Sequence, residues 1–455
     1  MKKCTIILLL GVVVLCGCGR NANSIEYEKD YDISETILEE SSVSTNLMDS
    51  DNYEFIPPSN DGELFAFFVE SWKSGRFDLM YDFCTKEIKD MVNLEQFTNG
   101  LSCTNEVFGG ILEVTNIKCI EENSIKKYTC DLLFENVKGN LEVIIANNTI
   151  MGYNYEMDFD KPFIKNLTDC ITEEYFVINS DGYELNAVYT DSGKMDAPSV
   201  LLIPGSGRSD YNETVGLLVP FEELARKLAE NGINSLRMEK RTERYADQFL
   251  LTDSLEEEYF GDFGRALEWL TEKNGKDHIY LLGHSLGSQI AIEMADRYAV
   301  SGLILFNGTP RHLADILSEQ YAIVDQEKEN MYLYIAQQAR SSAEENAIGE
   351  TYFGATDYYW AGYNAISPVE TLNKIGIPTL IINSHLDSQI FDKDIYQWYE
   401  IFEKKDNVSI LLIDEMNHFG YVGEITDNSD IYEALPFSSE LVDSIVSFIV
   451  RREEK

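Results

Sequence analysis

The residue best placed for chemistry is Ser285, within Gly283-His284-Ser285-Leu286-Gly287. This segment matches G-x-S-x-G, follows the apolar run HIYLL and precedes the helical run SQIAIEMADRYA. Between a strand and a helix, the two glycines permit a strained turn that lifts the serine hydroxyl clear of the backbone. A helix-capping serine in a glycine-rich turn is the structural alternative. The strand-to-helix context favours a nucleophilic role for Ser285.

A serine hydroxyl is a poor nucleophile unless an imidazole takes its proton and a carboxylate orients that imidazole. The chain has five histidines, and only His418 follows the last apolar run, where such a base is expected. His385 is the alternative base. The acid should follow the run PTLIIN, which favours Asp387. Asp392 and Asp394 remain alternatives, although both are more simply explained as residues at the start of a helix.

The negative charge that develops during acyl transfer needs preorganised N–H donors. The loop Pro-Gly-Ser-Gly-Arg-Ser-Asp at 204–210 is small enough for its backbone to approach a ligand. We expect the backbone N–H groups of Ser206 and Leu286 to form the oxyanion hole. A dinucleotide site is excluded because Asp210 stands where the third glycine belongs. The sequence has no phosphate-binding loop or metal-ligand cluster, so we expect no cofactor and no metal.

Strands and helices alternate around these residues from about position 173 to 455. Short continuous apolar runs of this kind are typical of strands buried on both faces of a parallel sheet. The six runs are SVLLIPG, INSLRM, HIYLLG, GLILFN, PTLIIN and VSILLI. A hairpin, EYFVINSDGYELNAVYT, precedes them. The fold class is therefore α/β, with a doubly wound and mostly parallel sheet.

A helical segment rich in Tyr and Trp interrupts the alternation at about 311–365, and we interpret it as a cap. The alternative is a surface embellishment without a role in binding. Aromatic residues cluster near its end: Tyr352, Phe353, Tyr358, Tyr359, Trp360 and Tyr363. They offer a large amphipathic surface to a substrate, or they only pack on the domain beneath.

The N-terminus predicts export. Residues 1–18 have two lysines, an apolar stretch too short to span a membrane, and small residues before Cys18. Leu-Cys-Gly-Cys at 15–18 resembles the bacterial lipobox, which predicts lipidation at Cys18; Cys16 fits less well. An ordinary cleaved signal is the alternative. Residues 19–60 are polar and acidic, which predicts a disordered tether. We expect a lipid-anchored protein on the extracytoplasmic face of the cell membrane.

Residues 61–160 predict a small α+β domain, with one amphipathic helix followed by several strands. All five cysteines beyond the signal peptide lie in or just after this domain. Cys119 and Cys130 are either cross-strand disulfide partners or small buried thiols.

The charge balance is strongly acidic, with 36 Lys and Arg against 79 Asp and Glu and a formal net charge of −43. Because nucleic acids bind through clustered Lys and Arg, a nucleic-acid partner is excluded. The oligomeric state is not determined by the sequence.

From about residue 173 the chain resembles secreted bacterial carboxylesterases of the α/β-hydrolase superfamily. The resemblance rests on three motifs: Gly-Ser-Gly-x-x-Asp at 205–210, Arg-x-x-Lys-Arg at 237–241, and Asn417-His418. By position, the preceding domain resembles the cystatin-like domains of unknown function that precede α/β hydrolases in Gram-positive lipoproteins. The chain departs from the carboxylesterase pattern at Glu239, where Asp is usual, and at Thr242, where Gly is common.

The resemblance implies a triad of Ser285, Asp387 and His418. The leading hypothesis is a lipid-anchored, extracytoplasmic serine hydrolase that cleaves small-molecule carboxylic esters. The same triad would also serve an acyltransferase or a peptidase. A catalytically dead binding lipoprotein is the alternative from a different class.

Overall fold

A computed structural model describes residues 57–122, 124–159, 161–249, 254–425 and 430–453. The predicted signal peptide, Cys18 and residues 19–56 of the predicted tether lie outside the described residues. The described chain divides into two compact units that meet in sequence between Lys161 and Pro162.

The N-terminal unit contains four helices and one antiparallel sheet with the strand order β1-β2-β3-β4. The helices are α1 (Asp61–Lys73), α2 (Phe77–Asp82), α3 (Lys86–Met91) and α4 (Leu94–Phe108). The strands are β1 (Ile111–Glu122), β2 (Ile125–Phe134), β3 (Lys138–Ala146) and β4 (Thr149–Asp158).

Helix α1 covers one face of this sheet because its apolar residues recur at helical spacing. Phe65 stacks on Tyr128 of β2 with ring centroids 4.8 Å apart. Two turns later, Trp72 meets Tyr155 of β4 edge to face at 5.1 Å. This aromatic layer forms the core of the unit.

The hairpin of β1 and β2 does not contain the cross-strand disulfide that was one of the two sequence hypotheses. Cys119 lies opposite Tyr128, and Cys130 lies opposite Leu141 of β3. No disulfide joins Cys119 to Cys130. Cys130 is a buried thiol, as the alternative hypothesis holds, and burial raises its pKa to about 12.

The second unit is built on a nine-stranded sheet with the order β15-β14-β11-β10-β8-β9-β7-β6-β5. Its strands are β5 (Phe163–Asn166), β6 (Thr172–Ser180), β7 (Tyr183–Asp191), β8 (Ser199–Ile203), β9 (Asn234–Met238), β10 (Ile279–His284), β11 (Gly302–Phe306), β14 (Thr379–Ser384) and β15 (Val408–Ile413). The six strands from β15 to β9 are parallel, and the remaining three are antiparallel. All six predicted apolar runs form the parallel strands, which confirms the predicted fold class.

The helices of this unit lie on both faces of its sheet and in the segment predicted as a cap. They are α5 (Pro220–Glu230), α6 (Arg241–Arg244), α7 (Ala246–Phe249), α8 (Asp262–Asn274), α9 (Leu286–Arg297), α10 (Leu313–Val324), α11 (Glu329–Ser341), α12 (Asp357–Asn364), α13 (Pro368–Ile375), α14 (Asp392–Phe402) and α15 (Ser439–Glu453), and a π-helical turn, Glu256–Gly261, leads into α8. One core cluster joins α5 and α15 to the sheet, and the other joins α8 and α9 to the opposite face.

The sheet begins earlier than the predicted boundary at residue 173. Strand β5 pairs with β6, with Phe163 opposite Tyr175, and the two rings stack at 4.7 Å. The unit therefore starts at Pro162. The four residues of β5 were missed because they alternate between half-buried and exposed positions at the sheet edge and have no apolar run.

The segment predicted as a cap follows β11. It contains α10, α11, the short hairpin of β12 (Thr351–Tyr352) and β13 (Ala355–Thr356), and α12. The chain then returns through α13 to β14. Because β8, β10, β11, β14 and β15 are parallel, the loops that follow them all emerge at one edge of the sheet.

Candidate active site

Ser285 occupies a sharp turn between β10 and α9. Its backbone has φ 52° and ψ −121°, a left-handed conformation that costs energy for a residue with a Cβ atom. Both flanking glycines are required: a Cβ on Gly283 would lie 2.0 Å from the carbonyl oxygen of Gly287, and one on Gly287 would lie 2.2 Å from that of Ile203. This packing holds the half-buried Ser285 in its strained conformation.

The loop after β14 brings Asp387 to His418. Asp387 Oδ2 lies 2.7 Å from His418 Nδ1, and both side chains are buried. The other oxygen, Oδ1, accepts the backbone N–H groups of Gln389 at 2.7 Å and Ile390 at 2.8 Å. An ionised carboxylate held in this way fixes the proton on Nδ1 and leaves Nε2 of His418 as an acceptor.

The loop after β15 carries His418 to the serine turn. The rings of His418 and His284, the residue before Ser285, lie 4.6 Å apart. The carbonyl oxygen of His418 accepts from Asn307 Nδ2 at 2.7 Å and lies 2.9 Å from His284 Nε2. Loops that follow β10, β11, β14 and β15 thus converge on one point.

The alternative acids and bases have other partners. His385 pairs with Asp392 at 3.1 Å, and both side chains are about half exposed. Asp394 is buried and binds Arg311, with Nε to Oδ1 at 2.8 Å, and it also caps α14 through Phe391 N. The structure therefore brings Asp387, rather than either alternative acid, to His418.

The predicted oxyanion loop lies beside Ser285. A Cβ on Gly205 would be 3.1 Å from Ser285 Cβ. Ser206, Ser285 and Leu286 line the same cavity. Leu286 is the first residue of α9, and N–H groups in a first helical turn have no intrahelical acceptor. The two residues whose N–H groups are predicted to form the oxyanion hole therefore border the same cavity as Ser285.

This cavity has a volume of about 160 Å³ and is bounded by the cap. The large apolar side chains that the cap contributes to its wall are Leu313, Ile316, Leu317, Phe353, Tyr359 and Trp360. Two other aromatic residues of the cap do not line the cavity. Tyr358 is about half exposed, and the buried Tyr363 hydroxyl donates to Gln289 Oε1 at 2.5 Å. Trp360 also donates from Nε1 to the carbonyl oxygen of Tyr352 at 2.8 Å, so this ring both lines the cavity and packs in the core.

A buried pair behind the serine was not predicted from the sequence. His284 Nδ1 lies 2.9 Å from Glu213 Oε1, and Nε2 lies 2.9 Å from the carbonyl oxygen of His418. Both ring nitrogens face acceptors, an arrangement that favours the doubly protonated, charged imidazole. Burial opposes this charge, but the Glu213 carboxylate outweighs it and raises the pKa of His284.

The backbone conformation and the hydrogen bonds of Glu213 hold its carboxylate behind the serine turn. It has φ 54°, which is uncommon for a residue with a side chain, and it accepts the backbone N–H of Gly205 at 2.7 Å. The pair thus links the oxyanion loop, the serine turn and the His418 loop. Glu213 and His284 are 71 residues apart and form no local motif, so the sequence carried no signal for the contact.

Within the described ranges, no group of three or more His, Cys, Asp or Glu side chains is arranged to hold a metal ion. None of the helices in the described part of the chain is long and apolar enough to cross a bilayer.

Comparisons with known proteins also match the part of the chain that carries this site. The family model described as "alpha/beta hydrolase fold" matches residues 199–308, which include β8, the oxyanion loop and the serine turn. The chain is 25% identical over 377 residues to "Esterase EstD" of Thermotoga maritima, which covers 80% of this chain and 89% of that protein. The chain is an enzyme with the α/β-hydrolase fold.

Two solved structures are also similar to this α/β hydrolase. "Est1E from Butyrivibrio proteoclasticus" has a TM-score of 0.42 and 15% identity, and the match covers 62% of this chain and 99% of Est1E. The esterase Pf2001 of Pyrococcus furiosus has a TM-score of 0.41 and 15% identity, covering 64% and 96%.

Proposed function

We propose that the protein is a serine hydrolase that cleaves carboxylic esters of small molecules. The observation that carries this proposal is the 2.7 Å contact between Asp387 and His418, beside the strained turn that bears Ser285. Strain at Ser285 is maintained by close glycine packing, and such strain is concentrated at functional sites. The similarity to an esterase over most of both chains supports the same reaction class.

In the proposed mechanism, Ser285 Oγ attacks the ester carbonyl while His418 Nε2 accepts the hydroxyl proton. Asp387 keeps the imidazole in the required tautomer and stabilises its charged form. The N–H groups of Ser206 and Leu286 bind the oxyanion. His418 then returns the proton to the leaving alcohol. In the second half of the reaction, a water molecule gives a proton to His418 and attacks the acyl-enzyme, and His418 returns that proton to Ser285 Oγ as the carboxylic acid leaves.

The test compares Ser285→Ala with Ser447→Ala, a matched change on the exposed face of α15, using the full chain and short aryl esters. Losing the nucleophile should reduce kcat by about a millionfold. Ser447→Ala should behave as wild type. Hydrolysis that survives Ser285→Ala would refute the assignment.

The cavity supports an uncharged acyl group of short to medium length. Its cap wall is aliphatic and aromatic, and apolar walls with a few placed polar groups select by size. An open surface for long lipid chains would need a more extensive exposed apolar patch. Rates across a series of aryl esters from acetate to decanoate should peak at the shorter chains and fall for the longest.

We further propose that Cys18 is lipidated and anchors the enzyme on the extracytoplasmic face of the membrane. The support is the signal-like sequence of residues 1–18 alone. In bacteria fed an alkyne fatty acid, the wild type and Cys16→Ser should be labelled, and Cys18→Ser should not. Equal labelling of both variants would refute the assignment of Cys18.

A further inference from the structure

The Arg-x-x-Lys-Arg motif contains a buried lysine beneath the oxyanion loop. Lys240 is fully buried, and its ammonium group contacts four oxygens. Nζ lies 3.0 Å from Glu258 Oε1, 2.9 Å from the Tyr259 hydroxyl, 2.6 Å from the carbonyl oxygen of Gly207 and 3.4 Å from that of Gly205. The Tyr259 hydroxyl donates a short hydrogen bond to the same Gly205 oxygen. Both loop carbonyls are therefore held from one side.

The contacts of the Gly205 carbonyl oxygen determine where the N–H of Ser206 points, because both groups belong to the same planar peptide. The peptide bonds of the described residues are all trans, and in a trans peptide the C=O and the following N–H point in opposite directions. Since the Gly205 oxygen points toward Lys240 and Tyr259, the N–H of Ser206 points away from them. That N–H has no acceptor among the described residues, and Ser206 lines the cavity with Ser285.

Residue 205 is held on its other side as well. Its own N–H donates to Glu213 Oε1 at 2.7 Å, and its Cα packs against Ser285. Rotation of the 205–206 peptide would break the contacts to Tyr259 and Lys240 at once. A cation at a carbonyl oxygen also polarises the peptide group, which makes its N–H a stronger donor.

We propose that Lys240 and Tyr259 are positioning residues that aim the Ser206 N–H at the oxyanion. The proposal rests on the proposed function, because it concerns the charge that forms during acyl transfer. It assigns the lysine of the motif to transition-state stabilisation, whereas a purely structural lysine would only neutralise Glu258. The two roles differ in what they change: an aimed donor lowers the barrier and leaves substrate binding nearly unchanged.

The decisive variant is Tyr259→Phe, which removes one hydroxyl and keeps the ring. The matched control is Tyr245→Phe, because the Tyr245 hydroxyl also donates to a backbone carbonyl, that of Glu184 at 3.0 Å, and Tyr245 does not line the cavity. For Tyr259→Phe we expect kcat on an aryl ester to fall about tenfold with KM unchanged. Lys240→Met should lower kcat by about a hundredfold, approaching the loss of a whole oxyanion donor. Tyr245→Phe should match wild type.

A second readout separates aiming from folding. A trifluoromethyl ketone forms an anionic tetrahedral adduct with the serine, and the corresponding ether binds without one. Affinity for the ketone should fall in proportion to kcat/KM across the variants, while affinity for the ether stays constant. Equal losses for both compounds, or an unchanged kcat in Tyr259→Phe, would overturn the proposal.

Failure of the proposed function has a different signature. In that case Ser285→Ala keeps wild-type ester hydrolysis, or the wild type neither hydrolyses the esters nor forms the ketone adduct, and the inference fails with it. An enzyme that loses activity in Ser285→Ala but is unaffected by Tyr259→Phe would refute the positioning role alone.

Discussion

The loops at the strand ends and the cap bound the same cavity, but different forces hold them. At the strand ends, buried polar groups make directional contacts, as in Asp387 with His418 and Glu213 with His284. In the cap, the cavity wall is mainly aliphatic and aromatic. Hydrogen bonds fix atoms to within a few tenths of an ångström, whereas apolar contacts fix volume and tolerate rearrangement. We therefore expect changes at the strand ends to alter kcat, and changes in the cap to alter substrate preference.

Among the variants that test this comparison, and after the loss of the nucleophile itself, the largest effect should come from Asp387→Asn. This variant keeps the shape of the side chain but stabilises the wrong tautomer of His418, and kcat should fall by about ten-thousandfold. Steady-state kinetics on an aryl ester measure the change. Asp392→Asn, which alters the exposed partner of His385, is the matched control and should retain activity. The reverse result would assign the acid and base to Asp392 and His385.

The next effect concerns pH and stability. Burial raises the pKa of Glu239 to about 8, above its ordinary 4.5. The folded state therefore holds a proton that the unfolded state loses, so this group contributes stability below pH 4.5 that is lost as the pH rises through 8. In this window, the free energy of unfolding of the wild type should fall relative to Glu239→Gln by up to about 1.4 kcal/mol per pH unit.

Urea denaturation at pH 5, 6, 7 and 8 measures this difference. Glu268→Gln, at an exposed position of α8, should keep the pH dependence of the wild type. Parallel stability curves for wild type and Glu239→Gln would show that Glu239 is ionised in the folded protein throughout.

A smaller effect is expected at the cap wall. Tyr359→Ala enlarges the cavity and should raise the kcat/KM ratio of longer to shorter acyl esters by about tenfold. Tyr358→Ala is the matched control, because the Tyr358 ring, next to Tyr359 in the sequence, is about half exposed and does not line the cavity. Both variants should still react with a small fluorophosphonate. An unchanged acyl preference in a folded Tyr359→Ala protein, or in the double variant with Trp360→Ala, would mean that these rings only pack.

The smallest effect tests the cap without changing its wall. Thr356 caps α12 by accepting the backbone N–H of Tyr359 at 3.3 Å. Thr356→Ala should lower the free energy of unfolding by about 1 kcal/mol. Thr351→Ala, at an exposed position of β12, is the control and should lower the free energy of unfolding by less. Calorimetry measures both variants. A loss of kcat rather than a change in KM in Thr356→Ala would contradict the division between the two regions.

Much of the parallel sheet could be predicted because five of its six strands, from β14 to β9, are buried along their whole length, and such burial requires continuous apolar runs. The edge strand β15 is only partly buried, and it was visible because its sequence, VSILLI, is also apolar. The serine turn was visible for a related reason: the approach of Ile203 and Gly287 excludes any side chain at Gly287, so the glycine requirement appears in the local sequence. The positions of Asp387 after β14 and of His418 after β15 made them the favoured acid and base, but the sequence left Asp392, Asp394 and His385 as alternatives until the structure showed the contact.

The contacts that the sequence concealed are those between distant polar residues. Glu213 and His284 form no motif, and Lys240 appeared only as part of a pattern without a contact partner. The start of the second unit was missed because an edge strand with one exposed side needs no apolar run. Cys119 and Cys130 remained ambiguous until the strand register placed each opposite another residue.

By itself, the sequence determined the α/β class, the order of the strands along the chain and the set of loops that follow them. Only the tertiary structure decided which side chains of those loops touch, and which cap aromatics reach the cavity. The physical reason is that burial and backbone strain act on each residue through its local surroundings and leave a local pattern. A hydrogen bond between Asp387 and His418, or between Lys240 and the oxyanion loop, depends on the lateral order of strands in the sheet, which no local pattern records.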